Sequence, residues 1–146
     1  MTNYKRILVA VDGSVESDVA LKKAIETAKR NESVLEILQV IDDDKNVYGH
    51  FGGQYGALID HAKEVAEQEM VKRLEFATFE NDLHVETTIL VGNPKRLIVD
   101  YREEEKDVDL LLVGATGKDA LEKVLLGSVT SFILTHAYCD VLVVRS

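Results

Sequence analysis

The chain has 146 residues, 46% of them apolar and 29% charged, with a formal net charge of −9. That length suits one domain, residues 1–146, around a single core, and no apolar run nears the roughly 18 residues of a membrane span. Uniform acidity repels phosphate backbones and anionic lipid surfaces, so neither nucleic acid nor a membrane is an expected partner.

The opening "MTNYKRILVAVDG" runs straight into a strand pattern without signal-peptide architecture, which predicts a cytoplasmic protein. "RILVAV" (6–11) is nearly continuous in apolar character, as in a strand covered on both faces. A helix follows, with Ser14 as N-cap, Glu16 and Asp18 in the first turn, and Ala20, Leu21, Ala24, Ile25 and Ala28 on its apolar stripe. "VLEILQVI" (34–41) is the second strand. Residues 42–56, "DDDKNVYGHFGGQYG", form a connection long enough to be either a mobile lid or a plain insertion.

Residues 57–80 carry the longest helical pattern, with Ala62, Ala66, Met70, Leu74 and Ala77 in one stripe. "HVETTILV" (84–91) reads as a third strand at an edge, and "GNP" places Asn93 at an N-cap and Pro94 at the first helical position. "DLLLVG" (109–114) is the fourth strand, 128–137 the fourth helix, and "DVLVVR" (140–145) the fifth strand. The order β-α-β-α-β-α-β-α-β implies an α/β fold: a three-layer α/β/α sandwich around a five-stranded parallel sheet.

Ligands of such sheets bind outside the carboxyl ends of the strands, where the strand order reverses. The first strand ends in "VDGS", the fourth in "VGATGKDALEKVLLGSVTS". Gly114 and Gly117 leave room for a ligand against the main chain, while Gly127 and Ser128 open a helix whose free N–H groups favour an anion. The hydroxyls of Ser128 and Thr130 add donors for phosphate oxygens. Glycines at such turns also arise for steric reasons alone, and Ser128 also suits a plain N-cap; Asp12 on a neighbouring strand favours the phosphate reading. Neither the P-loop nor the dinucleotide G-x-G-x-x-G is present, so the nucleotide site is of another kind.

G-x-x-G, nine residues, then G-[ST] resembles the nucleotide-binding signature of the universal stress protein family, matched here by Gly114, Gly117, Gly127 and Ser128. The resemblance covers the whole chain, through "ILVAVDGS", "GNP" and "HAYCDVLVVR". It implies a Rossmann-like fold of the adenine nucleotide alpha hydrolase-like type and a stress-response protein that binds ATP, with magnesium as a possible companion ion. Carried over by position, Ala10, Val11 and Asp12 line the base and ribose region and the main chain of Val40 meets adenine. Gly114, Ala115 and Gly117 approach ribose and phosphates, and Gly127, Ser128, Val129 and Thr130 hold the phosphates.

Two departures stand out. Thr116 occupies a position where many members have a basic residue, shifting the load to backbone donors and to Lys118 or Lys123; Asp140 stands where proline is frequent. The resemblance also implies a homodimer through Val141, Leu142, Val143 and Val144, a strand edge with nothing after it to cover it. A monomer with that edge protected by Asp140 and Arg145 is the alternative.

Catalysis is not expected. Ser14 lacks a nucleophile elbow, and His50, His61, His84 and His136 are scattered without metal-ligand spacing. Asp12 alone is thin support for hydrolysis, though slow ATP turnover stays open, and Cys139 reads as a buried structural thiol. Two other classes compete with ATP binding: a nucleotide-free interaction module of the same fold, and a receiver-like phosphorylation module, which would need a phosphoacceptor Asp where the fourth strand ends in Gly114.

Overall fold

A computed structural model describes residues 3–44, 53–101, 107–116 and 126–146. The apolar hexamer Arg6–Val11 is strand β1, and from Ile7 onward every residue in it is buried. Helix α1 (Val15–Asn31) starts where Ser14 Oγ accepts the Ser17 N–H at 3.1 Å, and it buries the stripe from Ala20 to Ala28. Lys29 and Arg30 lie in its last turn, where they complement the dipole, and Glu32 closes it in the left-handed conformation.

Strand β2 (Val34–Asp42) leads to α2 (Tyr55–Thr78), whose start is tied back when the Tyr55 hydroxyl donates to the Asp43 carbonyl. Strand β3 (Val85–Gly92) precedes the short helix α3 (Pro94–Val99), capped by Asn93 Oδ1 on the Lys95 N–H. Strand β4 (Leu110–Gly114), helix α4 (Ser128–His136) and strand β5 (Asp140–Val144) complete the order.

All pairings are parallel, and the sheet order is β3-β2-β1-β4-β5. The expected α/β class and five-stranded parallel sheet are therefore present, with β3 at one edge as its pattern implied. The alternation of side chains along the strands divides the core into two halves. Ile7, Val9, Leu35, Ile37 and Leu112 face α1 and α2; Leu8, Leu38, Leu111 and Val113 face α3 and α4. In receiver-like sheets β1 lies between β2 and β3; here β3 is outermost and β1 pairs with β4. The chain order reverses between β1 and β4, and their pairing stops at Val9 and Leu112, before either strand ends.

One feature of α2 departs from its predicted stripe. Ala66, Met70 and Ala77 are buried, but the position between them on the inner face is taken by Arg73 rather than Leu74. Among the described residues no helix is long and apolar enough to cross a membrane.

Candidate functional site

The sheet's carboxyl edge opens into a cleft of about 830 Å³ at the β1/β4 switch point. Its floor comes from Ala10 and Val11 at the end of β1, Val40 and Ile41 on β2, and Val113 and Gly114 on β4. Asp12 and Gly13 form one lip, and Gly127, Ser128, Val129 and Thr130 form the opposite one.

The lip after β1 is a network of short-range bonds. Asp12 Oδ1 accepts the Ser14 N–H at 3.0 Å, and the Asp12 N–H reaches Ser17 Oγ at 3.2 Å. Gly13 between them has φ 85, which an L side chain rarely adopts. The turn thus fixes the Asp12 carboxylate at the mouth of the cleft.

Gly114 is a glycine for a different reason. It is part of the strand, and a Cβ there would lie 3.1 Å from the carbonyl carbon, oxygen and Cβ of Glu16. The missing side chain admits the first turn of α1 against β4, so the steric reading holds at this residue even though it also lines the cleft.

Helix α4 begins without a side-chain cap. Gly127 is the N-cap residue and Ser128 the first helical one, so Ser128 is not the cap. The first intrahelical bond is donated by Ser131 to the Gly127 carbonyl at 2.9 Å, which leaves the N–H groups of Ser128, Val129 and Thr130 as the orphan donors of the helix start. In α1 and α3 side-chain oxygens take on that role; here the donors stand at the cleft.

Thr130 corrects one expectation. Its Oγ1 is buried and donates to the Gly114 carbonyl at 2.8 Å, so its proton is committed to the fold and is not available to a phosphate. Ser128 remains exposed. Ala115 also differs from expectation: it is buried behind the cleft, its N–H bonded to the Val144 carbonyl and its own carbonyl accepting the Gly127 N–H at 2.9 Å. Of the predicted residues, Ala10, Val11, Asp12, Val40, Gly114, Gly127, Ser128, Val129 and Thr130 are brought together around one cleft. Gly117, Lys118, Lys123 and residues 45–52 of the long connection lie outside the described residues.

One wall of the cleft was not legible in the sequence. Ala62, Val65, Ala66 and Glu69 of α2, with Gln39 of β2, close the cleft from the side. The small residues of α2 were the available signal; Glu69 is one acid among many on that helix and carried none. The described lining contains three carboxylates, Asp12, Asp42 and Glu69, and no lysine, arginine or histidine. Among the described residues no group of three or more His, Cys, Asp or Glu could hold a metal ion.

A smaller cavity of about 240 Å³ lies between the sheet and the α3/α4 layer, beside Leu8, Tyr101 and Cys139. Cys139 is half-buried rather than fully enclosed, and burial, then the charges of Asp140 and Asp109, push its thiol pKa up.

The universal stress protein family model matches residues 3–145. The chain belongs to the universal stress protein family. A universal stress protein of Staphylococcus haemolyticus is 38% identical over 146 residues, covering 100% of this chain and 87% of that one. The structure of UspA from Lactobacillus plantarum superposes with a TM-score of 0.86 at 32% identity, over 99% of this chain and 100% of the other. A universal stress protein solved in complex with cAMP matches with a TM-score of 0.64 at 26% identity, over 99% and 98% of the two chains.

Proposed function

We propose that this universal stress protein binds an adenine nucleotide, ATP in the first instance, in the cleft between β1 and β4. The observation that carries the reading is the uncapped start of α4 facing a cleft of nucleotide size. Three N–H groups and the positive end of the helix dipole are suited to phosphate oxygens, with the exposed Ser128 hydroxyl beside them. Val40 and Ile41 offer an apolar surface to the base, and a relative of the same family is known with cAMP.

Magnesium fits this arrangement through the nucleotide rather than through a protein cage. The ion keeps several waters and takes one or two carboxylates together with phosphate oxygens, and Asp12 at the lip would be the carboxylate to share it. When bound, the ion would supply charge neutralisation for the phosphates in a cleft otherwise lined by carboxylates.

This reading makes the chain a nucleotide-responsive regulatory or protective protein of the stress response rather than a catalyst. A cytoplasmic location goes with this reading. Homodimerisation through β5 belongs to it as well: β5 is an edge strand, and Leu142 on it is 38% exposed. The test is the nucleotide content of freshly purified, denatured protein. Near-stoichiometric adenine nucleotide supports the reading. No nucleotide, together with no binding by the stripped protein, would favour a nucleotide-free interaction module instead.

A further inference from the structure

Arg73 of α2 contacts two residues of the cleft wall, Gln39 and Glu69, and stands behind that wall rather than in it. Only 8% of it is exposed. A guanidinium has donors and no acceptor, so whatever atom faces it must accept. Its Nη2 lies 3.2 Å from Glu69 Oε2, its Nη1 3.3 Å from Gln39 Oε1, and its Nε 3.9 Å from Asp18 Oδ1. The Gln39 amide oxygen thereby accepts from Arg73. Glu69 is held by one oxygen and keeps Oε1, and among the described residues its hydrogen bonding is to Arg73 alone. Glu69 precedes Arg73 by four residues on α2, the favourable order for an acid and a base on one helix face.

This carboxylate is also placed. Glu69 Oε2 lies 3.7 Å from where a Cβ on Gly13 would stand, so it overhangs the β1–α1 turn beside Asp12. The cleft therefore has two chemically distinct sides: acceptors from Asp12, Asp42 and Glu69 on one, and the N–H donors of α4 on the other. A nucleotide has the same asymmetry, since its phosphates need donors and its sugar hydroxyls donate. Asp12 and Asp42 each spend an oxygen on their own turns, toward the N–H groups of Ser14 and Asp44. Glu69 is the acid of the lining that a buried cation holds, through Oε2, which leaves Oε1 outside that bond.

We infer that Glu69, positioned by Arg73, accepts the ribose hydroxyls of the bound nucleotide and makes the cleft selective for ribonucleotides. The inference rests on the nucleotide reading above. Arg73 acts through Glu69 as a positioning residue, and Glu69 touches the ligand itself.

The test is titration of the intact protein, in magnesium, with ATP and with 2′,3′-dideoxy-ATP. A charge-assisted hydrogen bond to the sugar predicts that wild type prefers ATP by about tenfold or more. Glu69→Ala brings that preference down to about one. Glu69→Gln keeps the side-chain shape, but Arg73 claims its amide oxygen, so the preference also drops. Arg73→Met leaves the carboxylate without its anchor and gives an intermediate preference, a split between two ligands that general loosening of the fold would not produce. If wild type binds ATP and both Glu69 variants keep the full preference, the inference is wrong while the nucleotide reading stands. If wild type binds neither ligand, both fall.

Discussion

Thr130 Oγ1 donates to the Gly114 carbonyl at 2.8 Å, joining the first turn of α4 to the end of β4. The bond is buried, and the two residues it joins bracket the glycine signature from Gly114 to Ser128. It sets where the three orphan N–H groups of α4 stand relative to the strand end. Thr130→Val keeps the shape and removes the donor, leaving a buried carbonyl short of a partner. The expected cost is about 1–3 kcal/mol of stability in urea unfolding, with Thr130→Ser losing much less. Equal stability of the Val variant would show that the bond contributes nothing.

Gly114→Ala tests the helix–strand approach. The added methyl would sit 3.1 Å from main-chain atoms of Glu16, which move only with the first turn of α1. We expect a loss of about 1–3 kcal/mol, read as a shift of the denaturant midpoint at unchanged slope.

A second buried polar feature lies at the other end of the sheet. The Arg6 guanidinium pairs with Glu36, 1% exposed in β2, and reaches Glu86 in β3 at 3.4 Å. Burial opposes the Arg6 charge, but Glu36 and Glu86 outweigh it and raise its pKa. Among the described residues Glu36 Oε2 has no hydrogen-bond partner, so Arg6 carries most of the compensation for that carboxylate. Arg6→Met should destabilise by about 3–5 kcal/mol, whereas the double change Arg6→Met with Glu36→Leu should recover most of the loss. Thermal unfolding of the single and double variants at neutral pH decides it.

Cys139 should be slow toward thiol reagents. Its pKa is raised, first by burial and then by Asp140 and Asp109, so the thiolate fraction near neutral pH falls below that of a free cysteine. Alkylation of the native protein at pH 7.5 should lag behind that of the unfolded chain, and the gap should narrow as pH rises through the thiol pKa. Equal rates in both states would contradict the burial.

The order of elements and the faces of α1 were legible because they depend on local periodicity. The stripe Ala20, Leu21, Ala24, Ile25 and Ala28 is buried as its spacing predicts. Most of the cleft was legible too, since Asp12, Gly114 and Gly127 sit at strand ends and a helix start that the element order brings together. What could not be read were long-range pairings. Glu36 inside the apolar "VLEILQVI" and Arg6 at the start of "RILVAV" are each odd for a buried strand, but only the register that places Glu36 opposite Leu8 and Glu86 explains them. The wall formed by α2 and the commitment of the Thr130 hydroxyl to Gly114 likewise depend on packing between segments far apart in sequence.

The most direct test of the central claim is calorimetric titration of the stripped protein with ATP and magnesium, run beside Gly127→Asp. Gly127 has φ −64 and ψ 161, a conformation open to any residue, and aspartate is a favourable N-cap. The variant should therefore fold at least as well as wild type while placing a carboxylate on the N–H groups meant for phosphate. The expected result is micromolar binding by wild type, on the order of −8 kcal/mol, and a loss of at least tenfold in the variant. Equal affinity in the two proteins, or no heat from wild type, would contradict the placement of ATP phosphates at the start of α4.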